Sequence, residues 1–229
     1  LTITDYSDKI LTDTTLTLKK DENLIILGSN GAGKSTLAKL LCGVSHSKRV
    51  EIDGQKFNRL SAKERSRNIN YIPPKLEIFD EYITVRDFLE LSRLYGHISV
   101  DETIRLLDLD SLANFSCKTL SSGEQQRLLL ASSLLHGAEI TIYDEPTANL
   151  DPNRTVEVYK ILQSDKIKSR IIITHDLSLA YRLEYRVIYM DKGRIVFDDE
   201  SKKFFEESNL AKFFGDSLKR VDDYFVVNI

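Results

Sequence analysis

The stretch that most constrains this chain is Gly28-Ser29-Asn30-Gly31-Ala32-Gly33-Lys34-Ser35, which fits the phosphate-binding loop pattern G-x-x-x-x-G-K-[ST]. The apolar run Leu24-Ile25-Ile26-Leu27 before it reads as a buried strand, and Ser35-Thr36-Leu37-Ala38-Lys39-Leu40-Leu41 after it reads as the first turns of a helix. Three glycines let the loop curl so that successive N–H groups turn inward, beside the positive end of the following helix. Lys34 is then placed to reach β- and γ-phosphates, and the Ser35 hydroxyl to sit on Mg²⁺. The loop predicts a bound nucleoside triphosphate and a metal. Alone, it leaves kinase, GTPase and transport ATPase open.

The rest of the chain alternates strand and helix. Glu139-Ile140-Thr141-Ile142-Tyr143, a helix from Pro152 to Gln163, and Arg170-Ile171-Ile172-Ile173-Thr174 follow one another, which implies a parallel sheet with right-handed crossovers. Thr14 to Lys20 alternates as a half-exposed strand does, with Leu16 and Leu18 inward, and Arg49 to Gln55 reads as a strand ending in an Asp-Gly turn. Ser61 to Arg67 reads as a short exposed helix, and Asn70-Tyr71-Ile72 as a short strand stopped by Pro73-Pro74. Between Lys75 and Thr119 the period becomes helical. Val85, Phe88, Leu89, Ser92 and Leu94 fall on one side, then Ile104, Leu106, Leu107 and Leu109. This lobe, extended to about residue 135, is read as an insertion in the α/β core. Val187 to Met190 and Arg194 to Phe197 form a predicted hairpin, and the amphipathic tail from Asp198 is expected to dock through Phe204, Phe205, Phe213, Phe214 and Phe225.

With 229 residues, the expectation is a single domain over 1–229. A net charge of −3 provides no basic field, so nucleic acid is not an expected partner. Cys42 and Cys117 form no C-x-x-C pattern, which suits a reducing cytosol. No apolar run approaches the roughly 18 residues that span a bilayer, and Leu1 to Lys20 lacks the pattern of a secretory signal. The chain is expected on the cytoplasmic side of the membrane, attached only through a partner.

Two further stretches carry chemistry. Asp144-Glu145 follows the strand 139–143; a carboxylate at the carboxyl end of a parallel strand is placed to hold Mg²⁺ through water, and Glu145 to orient or deprotonate the attacking water. Leu120-Ser121-Ser122-Gly123-Glu124-Gln125-Gln126-Arg127 opens a helix. Ser121 with Glu124 makes a capping box, and Ser121 Oγ with the N–H groups of Ser122 and Gly123 would equally hold a phosphate. Position alone does not choose between the two.

Leu120 to Arg127 resembles the signature sequence of the ATP-binding-cassette family, Gly28 to Ser35 its Walker A loop, and Ile140 to Asp151 its Walker B and D-loop. His175 matches the family's switch histidine, and Tyr6 falls where the family places an adenine-stacking aromatic. The resemblance runs from about residue 1 to 197. It implies a phosphate-loop NTPase core with a parallel sheet, an N-terminal antiparallel β subdomain and an inserted α-helical lobe. It implies ATP and Mg²⁺ as ligands, with nucleotide contacts from Tyr6, Gly28, Ser29, Asn30, Gly31, Ala32, Gly33, Lys34, Ser35 and Thr36. Ser35 and Asp144 would serve the metal, Glu145 would be the general base, and His175 the γ-phosphate sensor. It also implies a head-to-tail homodimer whose nucleotides are closed by Ser121 and Gly123 of the other copy, with Asp151 linking the two sites; Asp151-Pro152 reads equally as a helix cap.

Ser122 and Glu124 replace the family's usual Gly and Gln. Pro74 stands where the family has a glutamine that contacts metal and water, and proline has neither an amide side chain nor a backbone donor. Water fills that position, hydrolysis is slow, or the alignment shifts by a residue; the first, with activity retained, is the expectation. The implied function is the ATPase subunit of a membrane transporter working through a separate integral-membrane permease. Within Glu64 to Leu94 the chain looks most like ATPases that import iron-siderophore, haem or cobalamin. The alternatives are a cassette ATPase that moves no solute and a regulatory nucleotide-binding module.

Overall fold

The computed structural model describes residues 1–45, 48–148 and 150–228, with the backbone alone at Val227. Asn149, inside the stretch Ile140 to Asp151, and Ile229 lie outside the described residues. The chain divides into two compact units, one of residues 1–58 with 171–229, the other of residues 59–170.

In chain order, the first unit opens with β1 (Thr2–Tyr6), β2 (Thr14–Thr17), β3 (Leu24–Gly28), α1 (Lys34–Leu41), β4 (Val50–Ile52) and β5 (Gln55–Lys56). The second carries α2 (Ala62–Asn68), β6 (Ile69–Ile72), α3 (Val85–Ser92), α4 (Val100–Leu106), α5 (Ser122–His136), β7 (Ile140–Asp144) and α6 (Pro152–Gln163). After β8 (Ser169–Ile173) the first unit resumes with α7 (Leu177–Leu183), β9 (Arg186–Asp191), β10 (Arg194–Asp199), α8 (Ser201–Phe204), α9 (Glu207–Phe214), β11 (Leu218–Val221) and β12 (Tyr224–Val227).

The first unit holds an antiparallel sheet in the order β2-β1-β4-β5. Its β4–β5 turn is Asp53-Gly54, both at positive φ (49° and 76°), the backbone a two-residue hairpin requires. In the same unit β3 lies between β8 and β9, parallel to both, and β10 pairs antiparallel with β9. Leu24, Ile25 and Ile26 face Ile171, Ile172 and Ile173 in register, and all six side chains are fully buried. Burial on both faces explains the continuous apolar runs. Each such side chain contributes about 1.5–3 kcal/mol when removed from water. The phosphate loop therefore leaves a rigid strand.

In the second unit β6 and β7 pair in parallel, Ile72 opposite Tyr143. Helix α5 is buried on nearly every side from Gln126 to Leu135 and packs on α3, α4 and α6. Such all-round burial marks the central helix of its unit. Tyr143 is fully buried, its hydroxyl 2.8 Å from Ser133 Oγ.

Several expectations shift. Leu94 is 53% exposed, because α3 ends at Ser92 and the helical period no longer applies. Leu106 is 46% exposed, since α4 buries Val100, Thr103 and Ile104 and Leu106 falls on the far side. Strand β1 is an element the sequence reading lacked. So is the β11–β12 hairpin of the tail, which packs on α7 through the Phe225 N–H donating to Ser178 Oγ and the Tyr181–Phe225 ring contact. Phe204 and Phe205 dock as expected, both buried.

Candidate functional site

The loop begins at Gly28, the last residue of β3, which sits opposite Met190 of β9 at φ 149°. A Cβ there would lie 3.2 Å from the Met190 carbonyl carbon, closer still to its oxygen, so only glycine keeps this strand pair together at the loop's root. Gly31, at φ 80°, has no atom of the described residues beyond its chain neighbours within 4 Å of its missing Cβ and sits at the open side of the loop. The loop is braced from behind: Ala32 N donates to Ser29 O at 3.1 Å, and Gly193 N of the β9–β10 turn donates to Ala32 O at 3.0 Å.

Helix α1 starts at Lys34 with Gly33 as its N-cap, no side-chain cap and no acidic residue in its first turn. Gly33 has no side chain to cap the leading N–H groups, the arrangement that suits an anion at a helix start. Lys34 is 8% exposed, and its Nζ donates to Gly28 O (2.7 Å) and Ser29 O (3.0 Å). The ammonium is stored on the loop it serves. Ser35 is exposed on the first turn, and Thr36 half-buried beside it.

The same unit brings His175 to the loop from far along the sequence. His175 follows β8, and it lines, with Gly28, Ser29, Asn30, Tyr189 and Phe213, a cavity of about 450 Å³. Thr174 N donates to Ile26 O, which ties the histidine's strand end to β3. Tyr6, at the end of β1, is half-buried and donates through its hydroxyl to Asp8 Oδ2 at 3.1 Å. Burial, then the bond to Asp8 and its charge, raise the Tyr6 pKa. Asp8 also accepts from the Ile10 and Leu11 N–H groups, and Ile10 and Leu11 lie against Gly33, so the Tyr6 segment runs beside the loop.

In the second unit Asp144 ends β7 and is 3% exposed. The Tyr71 hydroxyl donates to its Oδ2 at 2.9 Å. Glu145 follows at φ 52°, in the left-handed region uncommon for a residue with a side chain. Ser121 caps α5, and its N–H and Oγ–H both donate to the Glu124 carboxylate at 2.7 Å, holding that carboxyl below its ordinary range. Gly123 follows, half-buried, with Leu150 Cδ2 at 3.7 Å from where a Cβ would lie. Asp151 caps α6 by accepting from Arg154 N at 3.1 Å, with Pro152 at the first helical position, so its structural role is realised.

Tyr71 and Gln126 were not singled out by the sequence. Gln126, buried, donates to Pro146 O at 2.9 Å and links the start of α5 to the turn after Glu145. The signal for Tyr71 was available: it stands two residues before the Pro73-Pro74 break on a strand parallel to the one that ends in Asp144.

No cluster of three or more His, Cys, Asp or Glu able to cage a metal occurs among the described residues. One carboxylate and one hydroxyl suit Mg²⁺, which keeps waters and takes phosphate oxygens instead of a full protein cage. Asp144 in the second unit and Ser35 in the first are each an oxygen donor of the kind that ion takes.

A strand, a glycine loop and an uncapped helix start with a buried lysine define a phosphate-loop nucleotide-binding protein. The ABC transporter family model matches residues 11–148. An uncharacterized ABC transporter ATP-binding protein of Methanocaldococcus jannaschii is 34% identical over 220 residues, covering 86% of this chain and 85% of that protein. A Staphylococcus aureus (strain COL) protein named as an ABC transporter ATP-binding protein is 33% identical over 204 residues, and the chain spans 36% of its length. An ATP-binding cassette solved as a dimer in a post-hydrolysis state with ADP and Pi has a TM-score of 0.66 and 25% identity, covering 87% of this chain and 96% of that one. The chain belongs to the ABC transporter family, as an ATP-binding cassette of the ABC ATPase type.

Proposed function

We propose that the chain hydrolyses ATP to energise solute movement through a separate integral-membrane permease, acting at the cytoplasmic face as a head-to-tail homodimer when ATP is bound. The observation that carries the reading is the shared cavity, in which His175 meets Ser29 and Asn30 of the phosphate loop. Nothing in a passive glycine turn calls for a histidine there. In this reading Lys34 exchanges its bonds to Gly28 O and Ser29 O for phosphate oxygens, the loop's N–H groups hold the β-phosphate, and His175 holds the γ-phosphate by hydrogen bond. Tyr6 stacks on adenine. Glu145 takes a proton from water as that water's oxygen bonds to the γ-phosphorus and the bond to the β–γ bridging oxygen breaks, leaving ADP and inorganic phosphate. Ser35 and Asp144 would hold Mg²⁺, which would supply charge neutralisation at the phosphates. Water stands in for the side chain that Pro74 cannot supply. Ser121 and Gly123 close the partner copy's nucleotide; the exposed, open start of α5 supports this, as does the dimeric state of the solved relative. Asp151, besides its cap, links the two nucleotide sites.

No described helix is long and apolar enough to cross a membrane. Phe79 is 91% and Tyr82 88% exposed, on the segment leading into α3, and this aromatic pair supports a docking surface for the permease. Iron-complex import is the cargo reading, carried by the resemblance of residues 64–94. The test is Mg²⁺-dependent phosphate release with Glu145→Gln alongside. The reading expects turnover to fall about 10²- to 10⁴-fold with nucleotide binding retained. Absence of turnover in the parent, even with its permease, would overturn it.

A further inference from the structure

Strand β6 ends one residue short of the carboxylate that closes β7. The last register pair is Ile72 opposite Tyr143, so the next residue on each strand is Pro73 and Asp144. Pro73 and Pro74 carry no N–H, so the β6–β7 ladder stops there, one residue short of Asp144. Asp144 is nevertheless 3% exposed. A buried carboxylate is costly without hydrogen-bond donors, and a side chain of the neighbouring strand supplies one. It comes from Tyr71. In the parallel register Tyr71 lies opposite Ile142, two residues before Asp144, so both side chains project from the same face of the strand pair. The phenol thereby reaches Asp144 Oδ2 at 2.9 Å.

A hydroxyl-to-carboxylate bond is charge-assisted and directional. It occupies Oδ2, fixes the carboxylate's rotamer, and leaves the remaining lone pairs presented in one orientation. We infer that Tyr71 is a positioning residue for the metal: its hydroxyl orients Asp144 toward the Mg²⁺ water shell from the neighbouring strand. This rests on the reading of Asp144 as the metal's carboxylate. A phenylalanine would fill the same half-buried space, so packing alone does not require the hydroxyl.

The experiment uses the full chain loaded with a non-hydrolysable ATP analogue and titrates Mn²⁺ by electron paramagnetic resonance. Tyr71→Phe is expected to weaken Mn²⁺ about tenfold, the usual scale for losing a partner of a metal-binding group. Affinity for the nucleotide in EDTA should stay at the parent value. Asp144→Asn should weaken Mn²⁺ at least as much, and adding Tyr71→Phe to it should cost nothing more, because the hydroxyl acts through Asp144. If Asp144→Asn leaves Mn²⁺ affinity unchanged, the metal reading of Asp144 fails. If Asp144→Asn weakens it and Tyr71→Phe does not, the inference about Tyr71 alone fails. A fall in metal-free nucleotide affinity equal to the fall in Mn²⁺ affinity, or additive losses in the double variant, reduces Tyr71 to a structural role and overturns the inference as well.

Discussion

Replacing Gly28 by alanine tests whether the phosphate loop is rooted by strand packing or by its own glycines. Gly28 pairs with Met190 at the end of the β3–β9 ladder, at φ 149°. An alanine Cβ would sit 3.2 Å from the Met190 carbonyl carbon and 3.3 Å from the Met190 Cβ, and closer than either to the carbonyl oxygen. The obstacle is backbone in a buried strand, so it cannot swing aside as a side-chain tip can. Backbone strain at such a φ costs about 1–3 kcal/mol, and overpacking against a fixed neighbour adds about 1–3 kcal/mol. Gly28→Ala should therefore destabilise by roughly 2–6 kcal/mol, which for a chain of this size lowers Tm by about 5–20 °C. Gly31→Ala is the internal control. It shares the loop and a positive φ but has no atom of the described residues beyond its chain neighbours within 4 Å of its missing Cβ, so it should cost only roughly 1–2 kcal/mol. Thermal unfolding followed by circular dichroism without nucleotide separates the two. Equal losses in both variants, or a Gly28→Ala protein within about 1 kcal/mol of the parent, would refute the packing argument.

Other outcomes follow from single side chains. Lys34→Ala removes a buried ammonium that donates to Gly28 O and Ser29 O; a charged hydrogen bond is worth about 1.5–3 kcal/mol, so calorimetry should find ATP bound roughly 10- to 150-fold more weakly. His136 closes α5, its Nδ1 buried without a hydrogen-bond partner, and burial lowers its pKa from the ordinary 6.5. Above 6.5 the ring is neutral folded and unfolded and adds no pH dependence; below it the unfolded chain takes up the proton first, so stability falls as pH falls until the folded pKa is reached. Urea midpoints across that window should decline in the parent, and His136→Leu should flatten the part of the decline due to this ring. A parent midpoint that rises on acidification through the window would contradict the assignment.

Much of the site was legible in the sequence because it is local. A strand, loop and helix start are contiguous, so Gly28 to Ser35 announces its own geometry, and the capping residues Ser121 and Asp151 stand where the first-turn N–H groups need acceptors. Buried parallel strands read as unbroken apolar runs for the same reason. The misreadings fell where period and packing part company: Leu94 beyond a helix end, Leu106 on the far side of α4, and a tail hairpin that exists because α7 offers it a surface.

What the sequence by itself determined was the chemistry each segment could carry: a loop for phosphates, carboxylates at a strand end, a histidine after another strand, a capped helix start. Only the tertiary structure decided which of these meet. His175 joins Ser29 and Asn30 in one cavity because β8 lies beside β3 in parallel register, a pairing with no trace in the spacing of the residues. The same holds for Tyr71 and Asp144. Their bond spans 73 positions of chain and depends on the register of β6 against β7, since a slip of one residue would turn the phenol to the opposite face.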